Sequence, residues 1–238
     1  MRLSIIVPAF NEEAYILDCL YHILEEIRLC SCPSEVEVLV VDNASTDATP
    51  RLANVYDVRV VREPNKGLTK ARQAGLEASY GEVVGYVDAD TRMPPGWIDK
   101  VLEGFQDSDV VCMSGPYIYY DATLVQRALV RSFFYVGKAT YWVTRYMAIG
   151  GNFAARRSAL EKIGGFDTEI DFYGEDTDIA RRLCAVGKVK FTFDLPMPTS
   201  ARRMHGEGIV AMGRKYLVNF LSEVILKRPV TQAHRDIR

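Results

Sequence analysis

The sequence has no hydrophobic run long enough to cross a bilayer as a helix. No segment of the 238 residues contains the ~18 uninterrupted apolar residues that a spanning helix needs. The first residues, from Met1 to Pro8, have neither a separate apolar core nor a small-residue cleavage site, so no signal peptide is predicted. We therefore expect a cytoplasmic protein, either free in solution or lying against the inner face of the membrane.

The sequence also lacks a disulfide framework and a strong net charge. Its five cysteines are an odd number, and a chain of this length buries roughly 70–75 % of its unfolded surface without covalent staples. Reduced thiols are therefore expected, as in cytoplasmic proteins. The net charge is −2, which gives no reason to expect nucleic acid as the main partner.

Apolar runs and helical repeats alternate in the first half of the chain. Strands that are mostly apolar are predicted at Leu3–Phe10, Val36–Val41 and Val83–Val87, and a short strand at Val58–Val61. Helices are predicted at Glu12–Leu29 and Leu68–Ser79. Strands that are apolar along most of their length are typical of a parallel sheet buried on both faces. The predicted fold class is therefore α/β, with a central, mostly parallel, twisted sheet and helices on both faces.

The second half has a less regular pattern. Strands are predicted at Val110–Tyr119 and Val189–Phe193, and helices at Ser158–Ile163 and from Gly174 onward. The stretch Ala122–Tyr146 is rich in aromatic residues and is predicted to be helical or mixed. A last amphipathic helix, from about Gly208 to Lys227, would pack on the domain, form a homodimer contact or lie on a membrane. No repeat or low-complexity linker divides the chain, so one domain is expected over residues 1–238.

Two aspartates, Asp88 and Asp90, follow the predicted strand Val83–Val87 directly. Side chains two positions apart on a strand point the same way, so these carboxylates leave the strand end side by side. Carboxylate oxygens suit Mg²⁺ or Mn²⁺, and such ions usually also hold substrate phosphates. In open α/β sheets, ligands bind just beyond the carboxyl ends of the strands. An Asp-x-Asp sequence alone also occurs in solvated turns, and it is this position that favours a site.

Other polar residues follow the neighbouring strands. Asp42 ends the second strand, where a carboxylate can accept hydrogen bonds from a base or a ribose, or can simply cap a turn. Pro8, Phe10 and Glu12 lie at the end of the first strand, at the same edge of the sheet. Lys66 and Arg72 flank a predicted helix N-terminus after the third strand. They either attract phosphate or are ordinary solvated charges.

A second acidic group comes much later in the sequence. Glu175 and Asp176 begin a helix, and the spacing of Asp176 from the apolar residues of that helix points it inward. Burial would raise the pKa of Asp176 toward that of a general base, although a helix-capping acid is the simpler reading. Asp178 and Arg182, four residues apart, are interpreted as a surface ion pair. His205, one of three histidines, could complete a metal site with Asp90.

Taken together, these residues resemble the family 2 glycosyltransferases, which have the glycosyltransferase A fold. The similarity extends to about His205, and each motif is weak alone while their order and spacing are specific. The motifs are Ile5–Glu12, Val40–Asp47, Asn65-Lys66-Gly67 with Ala71-Arg72, Asp88-Ala89-Asp90, Gly151-Asn152-Phe153, Gly164–Asp167 and Gly174–Asp178.

The resemblance implies an inverting transfer of one sugar from a nucleotide-diphosphate sugar, with a UDP-sugar favoured, to a hydroxyl of a glycan or lipid-linked acceptor. It also implies Mn²⁺ or Mg²⁺ as cofactor. Residues 1–115 would form a nucleotide-binding half, 116–205 an acceptor and catalytic half, and 206–238 a C-terminal helix and tail. The nucleotide would be held by Pro8, Phe10, Glu12, Asp42, Lys66, Arg72 and Asp88.

The remaining roles follow from the same resemblance. Asp90, with Asp88 and His205, would hold the metal. Asp176, with Glu175 beside it, would be the base that deprotonates the acceptor. Gly151 and Asn152 would shape the donor-sugar and acceptor side. The aromatic residues between Phe133 and Tyr146 would pack in the core, stack on a sugar or meet a lipid chain.

The chain departs from the family pattern at two points. Asn43 stands where an aspartate is often found, and the Gln-x-x-Arg-Trp signature of processive synthases is absent, which favours transfer of one sugar per encounter. Two other functions stay open. A sugar nucleotidyltransferase is disfavoured because the segment from Ala9 to Glu13 is acidic and lacks glycine. A non-catalytic nucleotide-binding or partner protein is disfavoured by the presence of Asp88, Asp90 and Asp176 together.

Overall fold

A seven-stranded sheet forms the centre of the computed structural model, which describes residues 1–170, 174–208 and 218. The strands are β1 (Leu3–Ala9), β2 (Val36–Asp42), β3 (Arg59–Arg62), β4 (Val83–Val87), β5 (Val110–Ser114), β6 (Tyr117–Tyr119), β7 (Asn152–Arg156), β8 (Lys188–Phe191) and β9 (Met197–Thr199). In the main sheet they lie in the order β3-β2-β1-β4-β7-β5-β8, and β7 alone runs antiparallel to its neighbours β4 and β5. A small second sheet pairs β6 with β9.

Helices cover both faces of this sheet. The helices are α1 (Ile16–Leu29), α2 (Thr49–Ala53), α3 (Leu68–Ala78), α4 (Trp97–Gly104), α5 (Leu124–Thr144), α6 (Arg157–Lys162), α7 (Glu175–Cys184) and α8 (Arg202–Glu207), with a 3₁₀ turn at Pro33–Glu35. On one face, α1 and α4 pack against the side chains of Leu3, Ile5 and Val7, while α3, α6 and α7 lie on the face to which Ile6 points. This alternation along β1 is the two-residue period of a strand.

The predicted fold class is confirmed. The first-half strands and helices lie within a few residues of their predicted positions, and β4 has the predicted bounds. The strands β1, β2 and β4 are short, mostly apolar runs followed by turn residues, so the local sequence is sufficient to locate them. The largest difference between a predicted and an observed end is at the start of α1. This helix begins at Ile16 because the backbone from Glu12 to Tyr15 forms a turn.

The single strand predicted over Val110–Tyr119 is wrong. The strand is interrupted at Gly115 and Pro116, between β5 and β6, and β6 leaves the main sheet to pair with β9. Pro116 has no N–H to donate, and a side chain at position 115 would overlap the carbonyl oxygen of Leu195. The whole segment is rich in β-forming residues, so its composition does not show that its second part pairs with a different strand.

The strand β7 was not predicted, and it has the largest effect on the site. It enters the sheet between β4 and β5, and Asn152 pairs with Val87, so that Gly151 comes beside Asp88. The segment is short and follows two glycines, and its position depends on pairing with strands far away in the sequence.

The predicted C-terminal amphipathic helix lies outside the described residues, apart from Val218, which is helical. Among the helices of the described part of the chain, none combines the length and the apolar character needed to cross a membrane.

Candidate active site

The carboxyl ends of β1, β2 and β4 lie together at one edge of the sheet. Ala9 pairs with Asp42 in the parallel register of β1 and β2, and β4 lies on the other side of β1. The strand order therefore changes direction between β1 and β4, which is where open α/β sheets bind ligands. Residues 10–12 and 88–90 follow these two strands directly, so the structure brings together two groups that the sequence separates by more than seventy positions.

Asp88 and Asp90 differ in their surroundings. The Asp88 side chain is about one-third exposed and accepts a hydrogen bond of 2.7 Å from the hydroxyl of Tyr117. Asp90 is more deeply buried and accepts 2.8 Å from Nε of Arg202. Burial raises the pKa of Asp90 to about 6; the charge of Arg202 opposes this shift, and the charges of Asp88 and Glu12 add to it.

Arg72 joins the Asp88 side of the site to the acidic pair of α7. Its side chain is 1 % exposed, donates 2.9 Å to Glu175, and lies 3.6 Å from Asp88. The sequence predicted Arg72 as a nucleotide contact, but the structure places its guanidinium below the surface, between two carboxylates. A fully buried cation of this kind fixes the relative position of α3, α7 and the end of β4.

Two glycines before β7 make room for this arrangement. A side chain at Gly150 would come 2.7 Å from the guanidinium of Arg72 and 2.8 Å from Glu175. A side chain at Gly151 would overlap the carboxylate of Asp88 and the hydroxyl of Tyr117. The backbone must therefore pass close to both charged groups, which only glycine allows here.

Glu175 and Asp176 both lie at the site, but their surroundings differ. Glu175 is buried against Arg72, and burial together with the charge of Asp176 raises its pKa to about 7. Asp176 is half-buried, accepts 2.7 Å from the backbone N–H of Thr177, and is next to the backbone of Gly150. Burial raises the pKa of Asp176 as well, in the direction that the sequence predicted, while Arg72 opposes the shift.

Arg202 is a site residue that sequence reasoning missed. Its guanidinium donates 2.8 Å to Asp90 and 2.7 Å to Glu12, and it lies over the ring of Tyr15. The contact with Asp90 joins positions 112 residues apart, so no local pattern could have shown it. The only sequence signal was an arginine pair just before His205.

The predicted metal ligand His205 is not brought to the aspartates. Its side chain is exposed, and Met204 is the residue of α8 that packs into the protein. Within residues 1–170, 174–208 and 218, no three His, Cys, Asp or Glu side chains form a set that could hold a metal ion. The predicted three-residue metal site is therefore not assembled among these residues, and Asp88 and Asp90 are the predicted ligands that do lie close together.

These two carboxylates fit a divalent cation. The described site contains five carboxylates (Glu12, Asp88, Asp90, Glu175 and Asp176) and two guanidinium groups (Arg72 and Arg202). Burial chiefly raises the pKa of Asp90, and the charges of Asp88 and Glu12 add to the shift, whereas a bound cation would favour the charged form of Asp90. Small divalent ions are often held by one or two carboxylates together with substrate phosphates.

The predicted nucleotide contacts lie along the β1–β2 side. Asp42 is buried and accepts 3.2 Å from the backbone N–H of Ser45, so it also holds its own turn. The ammonium of Lys66 lies 3.8 Å above the ring of Phe10. Pro8 is buried near the end of β1, beyond the residues that pair with β4, where its missing N–H leaves no gap in the ladder.

Asn43 has a structural role that explains its difference from the family pattern. Its amide nitrogen donates 2.8 Å to the carbonyl of Asn65, and its amide oxygen accepts 2.8 Å from the N–H of Gly67. An aspartate could accept the second bond but could not donate the first. Asn43 therefore holds the loop that carries Lys66.

Asn152 is inside the protein rather than on the sugar side. It is fully buried, accepts 2.9 Å from the indole N–H of Trp97, and donates 2.8 Å to the carbonyl of Leu195. Its amide is therefore occupied by protein groups. The residue acts on the site through Gly151, whose position it fixes.

The interpretation of Asp178 and Arg182 as a surface pair is wrong for Asp178. Asp178 is 5 % exposed and bonds to both Arg181 and Arg182, at 2.6 and 2.7 Å. Arg182 also donates 2.6 Å to the carbonyl of Gly165. This network ties α7 to the loop after α6, so it supports the helix that carries Glu175 and Asp176.

Comparison with known proteins agrees with this geometry. The model of the family described as glycosyl transferase family 2 matches residues 4–164, more than half of the chain. Glycosyltransferase GlyG of Streptococcus pneumoniae serotype 4 is 28% identical over 125 residues, which are 50% of this chain and 40% of GlyG. The chain thus spans less than half the length of that curated relative.

Two solved structures share the fold. One is mannosyltransferase PcManGT of Pyrobaculum calidifontis, solved in complex with GDP-Man and Mn²⁺. It superposes with a TM-score of 0.71 at 25% sequence identity, and the match covers 94% of this chain and 64% of the PcManGT chain. Glucosyl-3-phosphoglycerate synthase of Mycobacterium tuberculosis, in complex with Mn²⁺, UDP-glucose and phosphoglyceric acid, gives 0.64 at 20% identity, covering 93% and 79%. The sheet order, the paired aspartates after β4 and the family match lead to one conclusion: this chain has the glycosyltransferase A fold and belongs to glycosyl transferase family 2.

Proposed function

We propose that this chain is a glycosyltransferase domain that moves one sugar from a nucleotide-diphosphate sugar to an acceptor hydroxyl, with inversion at the anomeric carbon. The observation that carries the proposal is the presence of two acidic groups on either side of the buried Arg72. Asp88 and Asp90 lie at the strand ends, and Asp176 lies at the start of α7. Inverting transfer needs one site for the leaving diphosphate and a separate carboxylate for the attacking hydroxyl.

The leaving-group side is formed by Asp88 and Asp90, which would hold Mn²⁺ or Mg²⁺. When bound, the cation offsets the negative charge that develops on the diphosphate. Lys66 and Arg202 are the nearby side-chain cations with some exposure, and both would face an anionic donor. Arg72 lies below them, 3.6 Å from Asp88, and would hold that carboxylate in place.

The acceptor side is formed by Asp176. Burial raises the pKa of its half-buried carboxylate, which makes Asp176 a better acceptor for the proton of the attacking hydroxyl. Glu175 already bonds to Arg72, so it orients the start of α7 and is a positioning residue in this proposal. Gly151, whose backbone passes directly beside the Asp88 carboxylate, would border the donor sugar between the two acidic groups.

The donor nucleotide is proposed to be UDP, with GDP and dTDP as the alternatives. Asp42, at the end of β2, would contact the base or ribose, with Pro8, Phe10 and Glu12 along the same edge. PcManGT was solved with GDP-Man and the mycobacterial synthase with UDP-glucose, and this agrees with a nucleotide-sugar donor without choosing the base. The acceptor is proposed to be a glycan or a lipid-linked carrier, reached from the cytoplasmic side.

Calorimetry with UDP, GDP and dTDP, each with and without Mn²⁺, tests the proposal. We expect one nucleotide to bind only when Mn²⁺ is present, and Asp90→Ala to abolish that binding. Asp109→Asn, an exposed change outside the site, is the matched control and should bind like the parent. Folded protein that binds none of the three nucleotides would contradict the transferase proposal and favour a non-catalytic family member.

A further inference from the structure

The long helix α5 has an apolar face that is exposed in the described part of the protein, although Tyr135 on that face also stacks on Phe193 at 5.3 Å. Successive helical residues are ~100° apart, so residues spread along the 21-residue helix can be placed around its axis. The α5 outer face occupies an arc about 140° wide on this geometry. It consists of Leu124, Val125, Ala128, Leu129, Ser132, Tyr135, Trp142 and Val143, all exposed.

The exposure of this face is unusual for residues of these types. Leu124, Trp142 and Val143 are 82%, 70% and 84% exposed, and Leu124 and Trp142 lie five turns apart on the same line of the helix. The opposite side of α5 is packed into the protein. Phe134 is buried near Phe191, and the hydroxyl of Tyr141 donates 2.9 Å to the carbonyl of Val189. The helix α5 is therefore packed on the protein by its opposite side, and the outer face is the side that points to solvent.

The charged residues in and around α5 favour an anionic partner. The whole chain has a net charge of −2, yet no acidic residue occurs between Asp121 and Glu161. That stretch contains six basic residues: Arg127, Arg131, Lys138, Arg145, Arg156 and Arg157. Arg127 and Arg131 are exposed and lie one turn apart along one edge of the outer face. An apolar face with an edge of cations complements an anionic lipid surface.

We propose that α5 is an interfacial helix that docks this protein on an anionic membrane surface through its outer face. A helix of this kind lies in the plane of the interface with its apolar side at the boundary between headgroups and acyl chains. Trp142 and Tyr135 are the residue types that favour this boundary, and Arg127 and Arg131 would face the phosphate groups. The assignment is independent of the predicted C-terminal helix.

The position of α5 also relates the membrane to the candidate active site. Asp121, three residues before the helix, accepts 2.8 Å from the hydroxyl of Ser200 and 2.6 Å from the N–H of Ala201. The N–H of Ser200 in turn donates to the carbonyl of Asp90. The start of α5 is therefore connected to the metal-binding loop by a short path. That the surface delivers a lipid-linked acceptor to this loop rests on the proposed function, whereas docking itself does not.

Flotation of the full chain with vesicles tests the docking. We expect binding to vesicles of phosphatidylcholine with phosphatidylglycerol, and little binding to phosphatidylcholine alone. Val125→Glu and Leu129→Glu should abolish flotation, and Arg131→Gln should weaken partitioning about fivefold, the value of one basic residue near an anionic surface. The matched controls are Val55→Glu and Arg28→Gln, at an exposed valine and an exposed arginine elsewhere, which should float like the parent.

Tryptophan fluorescence gives a second, independent reading. The protein has two tryptophans, and Trp97 is buried, so a blue shift on adding anionic vesicles would report Trp142. We expect Trp142→Phe to keep flotation and lose the shift.

Three results would overturn the docking proposal: no flotation of the parent at low salt, equal flotation of Val125→Glu, or loss of a dimer in Val125→Glu with lipid binding unchanged. Nucleotide calorimetry on the same variants separates this outcome from failure of the proposed function, because α5 variants should bind nucleotide normally.

Discussion

Arg72 is the residue on which both acidic parts of the site depend. It is fully buried between Glu175 and Asp88, and no other described cation lies within ion-pair distance of Glu175. A buried ion pair adds little net stability over a hydrophobic substitute, but removing one partner leaves the other charge buried and uncompensated. The value of Arg72 therefore lies in fixing the distance between the two acidic groups.

The first prediction concerns the stability that Arg72 provides. Arg72→Gln should lower the free energy of unfolding by about 3–5 kcal/mol, the usual cost of breaking a buried pair. Arg28→Gln, which breaks an exposed pair with Glu25, should cost no more than about 1 kcal/mol. Urea unfolding of both variants gives the comparison. Equal, small losses in the two variants would show that Arg72 does not hold the site together.

The second prediction concerns the pH dependence of stability. Because the pKa of Glu175 is about 7 in the folded protein and 4.5 for an ordinary glutamate, the folded state binds more protons between these values. Stability from this group is full below pH 4.5 and is lost as pH rises toward 7. Asp176 and Asp90, whose pKa values are also raised, act in the same direction.

Urea unfolding across this pH range checks the sign. The parent should lose stability as pH rises through this window, and Glu175→Gln should show a shallower slope. Glu161→Gln, an exposed carboxylate on α6, should keep the parent's slope. If stability fell more steeply with pH in Glu175→Gln than in the parent, Glu175 would have to be ionised in the folded protein over the whole pH range.

At the scale of elements, the turn into β7 brings the two halves of the site together. β7 pairs with β4 so that Gly150 and Gly151 pass over Arg72, Glu175 and Asp88. The amide of Asn152 anchors this turn to α4 and to the segment before β9. The close approach is possible because neither glycine has a side chain.

The third prediction tests this close approach. In Gly151→Ala, the new methyl group would overlap the Asp88 carboxylate and the Tyr117 hydroxyl, so one of them must move. We expect metal-dependent nucleotide binding to weaken at least tenfold while the protein stays folded, measured by calorimetry and thermal unfolding. Ala154→Gly, inside β7 and away from the site, controls for a change of residue size in this strand. Unchanged binding in Gly151→Ala would show that Asp88 tolerates displacement.

The elements also show what a sequence can predict. The strands β1, β2 and β4 are local apolar runs ending in turn residues, so their positions and the carboxylates beyond them could be predicted. The insertion of β7 and the departure of β6 to pair with β9 depend on partners far away in the sequence. The same limit applies to side chains. Asp88 and Asp90 follow from a strand end, whereas the contact of Arg202 with Asp90 follows from the return of the chain 112 residues later.

At the scale of the whole molecule, the sheet would separate the two proposed chemical tasks of donor binding and proton removal. The parallel part, β3-β2-β1-β4, presents Asp42, Lys66 and the Asp88–Asp90 pair, and the part beyond β7 presents Asp176 through α7. The two parts share hydrophobic clusters on both faces of the sheet, which supports the proposal of a single domain. The outer face of α5 would add a third task, the membrane docking proposed above.

The central claim is that donor binding and proton removal belong to separate groups, and Asp176→Asn tests it most directly. Nucleotide binding is measured by calorimetry with Mn²⁺, and turnover is measured as release of nucleoside diphosphate from the matching sugar nucleotide. We expect Asp176→Asn to bind nucleotide like the parent and to lose about 10²–10⁴-fold in turnover, the usual contribution of a general base. Asp109→Asn should change neither value. Turnover equal to that of the parent in Asp176→Asn would contradict the account, as would equal loss of binding and turnover.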